Sequence, residues 1–347
     1  MNGIATTTPG VWLGFAAFAV AAAVSYGLLF WLRPVLQRYA LARPNARSSH
    51  IVPTPQGGGI AVIGVTLTLP VIVVSAMPAW AGAAAPQFAV VAAATLLLAA
   101  AGMADDIRGF AQLPRLALHI VAVAIMVAAL PSELRVVPAV PWWIERTLLL
   151  LAGVWFINLV NFMDGVDWMT VAEVVPVAAG FVMAGALGAM PPLGTLTAIV
   201  LAGAMIGFAP FNRPVASVFL GDVGSVPIGL ILAWLLLLLA AGGHLAAALL
   251  LPLYYLADAT ITLGRRLVRG EKIWQAHRTH FYQRATDNGY TVRAIVGRVF
   301  AVNLGLVALA AATIAYPSAA LDTVALALGA VLVGALLCQF SGRWKRA

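Results

Sequence analysis

Three short stretches of this 347-residue chain place oxygen ligands where apolar segments stop: GMADDIRG (102–109), NLVNFMDGVD (158–167) and FLGDVGSVPIG (219–229). Asp105 and Asp106 are adjacent, and neighbouring carboxylates raise each other's pKa unless a cation lies between them. Asn158, Asn161 and Asp164 recur every third residue, which on a helix forms one slowly turning ridge. Asp222 is the acid of the third stretch. None of the three contains Cys or His, so the donor set favours a hard cation: Mg²⁺ sharing its coordination with phosphate oxygens, with Mn²⁺ as the second choice. For any single acid the competing reading is a helix cap or an interfacial charge. Three such groups on one face weigh against it.

The elements that must position these residues are membrane helices. Hydrophobic residues make up 63% of the chain, charged residues 9%, and the mean hydropathy is +0.98, far from the roughly 25% charged usage of soluble domains. Apolar runs of about the length needed to cross a bilayer fall at 11–32, 58–78, 87–104, 114–130, 144–162, 169–188, 192–210, 226–242, 244–264, 295–316 and 319–340. The expected fold is all-α and polytopic, about eleven spans in a single integral-membrane unit (1–347), with a loop at 265–294 as a substrate-binding segment. Of the twenty Lys and Arg residues, only Arg135 and Arg146 fall on one side if the runs alternate. By the positive-inside rule the N-terminus is then periplasmic, and the C-terminus and all three acidic stretches are cytoplasmic. The net charge of +8 thus reads as topology, which argues against nucleic-acid binding.

A cleavable signal peptide is not expected, because MNGIATTTPGVWLGF lacks an early positive charge. Cys338 is the only cysteine, so no intramolecular disulfide forms. Even-numbered spans point their N-termini at the cytoplasm, where the positive helix ends attract phosphate. Ser225 reads as an N-cap ahead of Val226 and Pro227, and Gly165 as the residue that lets the chain leave its helix. Gly57, Gly58 and Gly59 in PTPQGGGI serve either close approach of a ligand or close helix packing. His119 and His244 read as interfacial or internally satisfied. Asp258, an acid within a span, calls for a partner, which is Arg265, Arg266 or a group on another helix; Glu173 could share the interior site.

These stretches resemble the polyprenyl-phosphate N-acetylhexosamine-1-phosphate transferases, a family that includes the phospho-MurNAc-pentapeptide translocase and the enzymes initiating O-antigen and enterobacterial common antigen. The matching segments are RPNARSSHIVPTPQGGG (43–59), ADDIRG (104–109), NLVNFMDGVD (158–167), FLGDVGS (219–225) and RRLVRGEKIWQAHRTHFYQR (265–284), in family order. The resemblance implies an Mg²⁺-dependent transfer in the bacterial inner membrane. The donor would be a UDP-N-acetylhexosamine or a 6-deoxy relative such as FucNAc or QuiNAc, the acceptor undecaprenyl phosphate, and UMP the by-product, initiating a lipid-linked surface glycan such as lipopolysaccharide O-antigen. It also implies a homodimer.

By the same resemblance Asp105 is a base or a positioning group for the acceptor phosphate. Asp106, Asn161 and Asp222 belong to the metal site, Phe219 stacks on uracil, and Asp164, Gly165 and Asp167 bind the nucleoside. Arg115 holds a phosphate or anchors at the interface, and His277, Arg278 and His280 contact the sugar phosphate. AHRTH lacks the consecutive histidines of the pentapeptide translocase, and Trp168 stands where the family carries glycine. Two readings compete: the pentapeptide translocase itself, and, in another class, an ion-coupled transporter, against which stand the gathering of acids at one surface and the lack of an internal repeat.

Overall fold

The computed structural model describes residues 8–42, 53–272, 275 and 277–342. The 43–52 part of the first motif lies outside the described residues. Thirteen helices follow in chain order: α1 (Thr8–Tyr39), α2 (Gly59–Ala76), α3 (Ala85–Arg108), α4 (Gln112–Ala128), α5 (Trp142–Met163), α6 (Met169–Ala186), α7 (Pro192–Phe208), α8 (Asp222–Ala241), α9 (Leu245–Leu250), α10 (Leu253–Val268), α11 (Phe281–Asp287), α12 (Val292–Ala315) and α13 (Ala319–Phe340). The protein is an all-α polytopic membrane protein. Eight of these helices are long and apolar enough to cross a bilayer, and α4 and α7 are apolar but one residue shorter than the shortest of them.

Ten of the eleven expected runs are thus single helices. The ninth is broken: α9 ends at Leu250 and α10 starts at Leu253, with Leu251 and Pro252 between them. Pro252 has no N–H to continue the ladder and its ring excludes the preceding carbonyl.

Helix α8 is the axis. It is apolar on all sides, and every residue from Val223 to Leu235 is buried, as a helix without a polar face must be. It packs against α2, α3 and α5, while α7 binds α1, α2 and α6. The outermost helices, α1 and α13, leave large side chains such as Phe15, Phe30 and Val331 exposed, which suits contact with lipid. Trp31, Trp142 and Trp143 are exposed as well.

The two exceptional basic residues are both consumed locally. Arg135 pairs with Glu145, and Arg146 donates to the carbonyls of Pro131 and Leu134. A short antiparallel ladder, β1 (Leu41–Ala42) with β2 (Thr54–Pro55), follows α1.

Candidate active site

The start of α8 is held from three directions. Phe219 N–H donates to the Pro55 carbonyl, and Gly58 and Gly59 N–H donate to the carbonyls of Phe219 and Leu220, all at 2.8–2.9 Å. A Cβ on Gly59 would sit 2.2 Å from Gly224 Cα, and one on Gly102 would sit 2.5 Å from the Asp222 backbone. Of the two readings of the glycine triplet, helix packing therefore accounts for Gly59, and it lets α2 and α3 reach the α8 terminus.

Asp106 then caps α8 from outside. Its two carboxylate oxygens accept the N–H groups of Asp222 (3.0 Å) and Val223 (3.1 Å). This corrects the sequence reading of Ser225. The helix already starts at Asp222, Ser225 lies inside it, and the capping group comes from α3.

Asn161, on the last turn of α5, donates through Nδ2 to Asp222 Oδ1 (2.7 Å) and to Ser225 Oγ (2.9 Å). Asp106, Asn161 and Asp222 are therefore brought together around one helix terminus, as expected of a shared site. Arg115 bridges the remaining acids, 2.8 Å from Asp105 Oδ2 and 3.6 Å from Asp222 Oδ2. Asp105 also accepts the Phe110 N–H. The adjacent acids thus face different surroundings, Asp106 toward the α8 terminus and Asp105 toward α4. His119 is buried with Nδ1 3.2 Å from Asn158 Oδ1, the internally satisfied role expected of it.

A cleft of about 250 Å³ opens beside this terminus. Asp106, Asn161, Asp164, Gly165, Asp167, Phe219 and Asp222 line it, together with Gln56, Asn212 and Gln283. Seven residues singled out from sequence thus share one cavity. Thr170 donates to Asp164 Oδ1, and Asp167 Oδ2 accepts the Ala216 N–H (3.0 Å). Burial pushes the Asp164 carboxyl up to about 7; the Thr170 hydrogen bond opposes this, and the charges of Asp222, Asp106 and Asp167 add to it.

Gly165 is not where the chain leaves its helix. α5 ends at Met163, and Asp164 occupies the cap position. The glycine is required because a Cβ there would stand 2.1 Å from the Tyr282 hydroxyl. The left-handed residue is Trp168 (φ 62°), an uncommon conformation for a bulky side chain. It is held by its N–H to Asn212 Oδ1 (2.8 Å) and its indole Nε1 to the Ala209 carbonyl (2.7 Å). Its indole thus ties the start of α6 to the α7–α8 connection.

The histidine loop departs from expectation. His280 is buried, with Nδ1 3.1 Å from Asp258 Oδ1, so the partner of Asp258 is His280 and neither Arg265 nor Arg266. Arg266 instead folds the loop, pairing with Glu271 (2.7 Å) and donating to the carbonyls of Lys272 and Gln275. His277 stacks on His280 with ring centroids 4.9 Å apart. Its pKa is lowered to about 4, chiefly by burial and then by His280 and Arg266, so near neutrality its ring is uncharged. Arg278 is directed to Thr286 Oγ1 (3.0 Å) and Asp287 (3.4 Å). His277, Arg278 and His280 are not among the cleft-lining residues, and Gln283 lines the wall in their stead. Glu173 does not share the site either: Asn303 on α12 donates to it at 2.7 Å.

Sequence reasoning passed over Gln56, Asn212 and Gln283. Gln56 stands next to a glycine triplet already noted, and Gln283 follows His280 at the three-residue spacing of a capping box, which the structure forms. Asn212, in FNRP, carries no local signal.

Among the described residues no three Asp, Glu, His or Cys side chains form a ready-made metal cage. The donor set still fits a hard cation that takes most of its ligands from phosphate and water. Asp222 and Asn161 are in contact, and half a turn of the Asn161 carboxamide exchanges its Nδ2 for Oδ1. Arg115 meanwhile supplies positive charge to Asp222.

The model of Glycosyl transferase family 4 matches residues 88–240, from α3 to the end of α8. Decaprenyl-phosphate N-acetylglucosaminephosphotransferase of Mycolicibacterium smegmatis is 29% identical, over 84% of this chain and 80% of its own length. The protein of that description from Mycobacterium tuberculosis H37Rv is 28% identical over 85% and 80%. Phospho-N-acetylmuramoyl-pentapeptide-transferase of Desulforapulum autotrophicum is 30% identical, but over 37% of this chain and 41% of its own. The chain thus carries a glycosyl transferase family 4 match over residues 88–240 and is homologous to the decaprenyl-phosphate N-acetylglucosaminephosphotransferases, which fits the family that its motifs resemble.

Proposed function

We propose that the protein transfers N-acetylhexosamine-1-phosphate from a UDP-sugar to a polyprenyl phosphate, undecaprenyl phosphate in a bacterial membrane, and releases UMP. The observation that carries this reading is the single cleft into which Asp106, Asn161, Asp164, Asp167, Phe219 and Asp222 converge from three separate stretches of the chain. Relatives named for N-acetylglucosamine phosphate transfer align over about four-fifths of their length, against two-fifths for the pentapeptide transferase. That difference favours UDP-N-acetylglucosamine or a close relative as donor. A role in O-antigen synthesis is the pathway in which such a product is used.

Phe219, partly exposed in the cleft, presents a ring for uracil, and Asp164 and Asp167 supply hydrogen-bond acceptors beside it. The acceptor phosphate attacks the β-phosphorus as the bond to the bridging oxygen breaks, and UMP leaves with that electron pair. Both reactants are anionic, so alignment and charge neutralisation dominate the barrier. Arg115 is placed for this, because exchanging one carboxylate partner for a phosphate oxygen keeps its charge compensated. Asp222 and Asn161, with Asp106 bracing the backbone behind them, would hold Mg²⁺, which neutralises phosphate charge when bound. Asp105, salt-bridged to Arg115, sets the guanidinium's position. The cleft faces the cytoplasm in this reading, since the positive-inside pattern assigns that side to the ends of α3 and α5, and UDP-sugars are cytoplasmic.

Membranes containing the protein, supplied with undecaprenyl phosphate and a panel of UDP-sugars, are expected to yield a lipid-linked N-acetylhexosamine phosphate identifiable by mass spectrometry. Absence of product with every donor, from protein that remains folded, refutes the proposal.

A further inference from the structure

Asp258 is fully buried on α10 and gathers five donors. His280 Nδ1 lies 3.1 Å from Oδ1, Phe281 N–H donates to Oδ1 at 3.0 Å, and Tyr282 N–H donates to Oδ2 at 3.2 Å. The hydroxyls of Thr262 and Tyr254 add longer contacts at 3.3 and 3.4 Å. One carboxylate thus fixes the first turn of α11 and the histidine before it. A buried ion without its hydrogen bonds is strongly unfavourable, so the carboxylate and the turn hold each other.

What that turn delivers lies in the cleft. The Tyr282 hydroxyl donates to the Phe162 carbonyl (3.1 Å) at the end of α5. Gln283, the next residue, accepts the His280 N–H through Oε1 (3.3 Å). Its Nε2 lies on the cleft side, 3.2 Å from where a Cβ on Gly165 would stand and beside the Tyr282 hydroxyl, with which the Gln283 side chain hydrogen-bonds through one of its two amide hydrogens. The cleft wall formed by Asp164 and Gly165 therefore meets an amide donor whose position is set from α10.

Resting on the proposed reaction, we infer that Gln283 is a donor-contacting residue and that Asp258 is a positioning residue acting on it through His280 and the start of α11. A carboxamide donor facing the nucleoside wall suits a hydrogen bond to the nucleotide-sugar, whereas the polyprenyl chain offers it nothing.

The test uses the full-length protein in nanodiscs with UDP-N-acetylglucosamine, or whichever UDP-sugar it turns over, as donor. Gln283→Ala is expected to raise the donor KM about fivefold, the loss of one neutral hydrogen bond, with the acceptor KM unchanged. Asp258→Asn keeps the packing and is expected to raise the donor KM to a similar extent. Combining the two is expected to add little beyond either alone, since both act on one contact. An unchanged donor KM in Gln283→Ala, or multiplicative effects in the double variant, overturns the inference, and the first result decides it even if Asp258→Asn does not fold. If the wild-type protein binds no UMP and uses no UDP-sugar, the proposed reaction fails and this inference with it. Wild-type turnover with an indifferent Gln283→Ala sinks this inference alone.

Discussion

The carboxylate of Asp106 caps the helix that begins at Asp222, a residue 116 positions later, by accepting the N–H groups of Asp222 and Val223. A Cβ on Gly221 would come within 2.5 Å of the same carboxylate, so the approach depends on that glycine. Asp222 is thereby presented at a helix N-terminus with its side chain turned to Asn161 and Arg115. Structure and chemistry at this point share one pair of residues.

Replacing Asp106 separates the two. Asp106→Ala removes the cap and is expected to cost about 1 kcal/mol of stability, whereas Asp106→Asn keeps one acceptor and recovers part of it. Transferase activity is expected to stay low in both, because the negative charge is gone. Thermal unfolding alongside a turnover assay separates the two effects; full activity in Asp106→Asn would remove the carboxylate from the site.

Asp222→Asn is expected to lower turnover by about 100-fold or more, the scale of losing one preorganised electrostatic partner of the transferring phosphates. Folding should be retained, because the amide can still meet Asn161. Near wild-type, Mg²⁺-dependent turnover would exclude Asp222 from metal binding.

For Phe219→Ala the expected loss is in nucleotide affinity. Stacking a base on an aromatic ring contributes about 1–3 kcal/mol, so UMP binding measured by calorimetry should weaken by roughly 5- to 100-fold. Unaltered UMP affinity would locate the uracil elsewhere.

Gly165→Ala drives a methyl group into the Tyr282 hydroxyl. Overpacking of this kind costs about 1–3 kcal/mol, and here the displaced element is α11. The expected outcome is a raised donor KM with partial rescue by adding Tyr282→Phe. A variant indistinguishable from wild type in both stability and KM would show that α11 does not bear on the cleft.

Stability should track pH through Asp164, raised from 3.8 to about 7 by burial and then by the neighbouring acids. A carboxyl with a raised folded pKa favours folding in its protonated form. That contribution is complete below about pH 4 and is lost as pH rises through about 7. The melting temperature of the wild type is therefore expected to fall relative to that of Asp164→Asn as pH rises from about 4 to about 7, and chelation of Mg²⁺ is expected to abolish turnover. A difference in melting temperature that stays constant across that range would show that the Asp164 carboxyl titrates alike in the folded and unfolded chain.

Much was legible in the chain before any fold. The apolar runs all fell on helix, and eight of the eleven coincide with helices long and apolar enough to cross a bilayer, because transfer of a segment into lipid depends on its own composition. The stretches that interrupt them named seven of the cleft's residues, since charge at the end of such a segment is costly unless it is used. Boundaries were less legible: α3 and α8 extend through their acids, which hydropathy alone counts as the end of a span.

Tertiary structure decided which partner each polar group takes. Asp106 could be a metal ligand, a cap or both, and its contact with the α8 terminus supplies the cap. Asp258 had two arginines two turns away and took His280 instead, together with two backbone N–H groups. Gly165 looked like a helix exit and is a clearance for Tyr282. Helical periodicity is fixed by neighbours three or four residues apart, and the sequence carries it openly. These pairings join residues from 22 to more than 100 positions apart, and only the packing of whole helices brings them within hydrogen-bonding range.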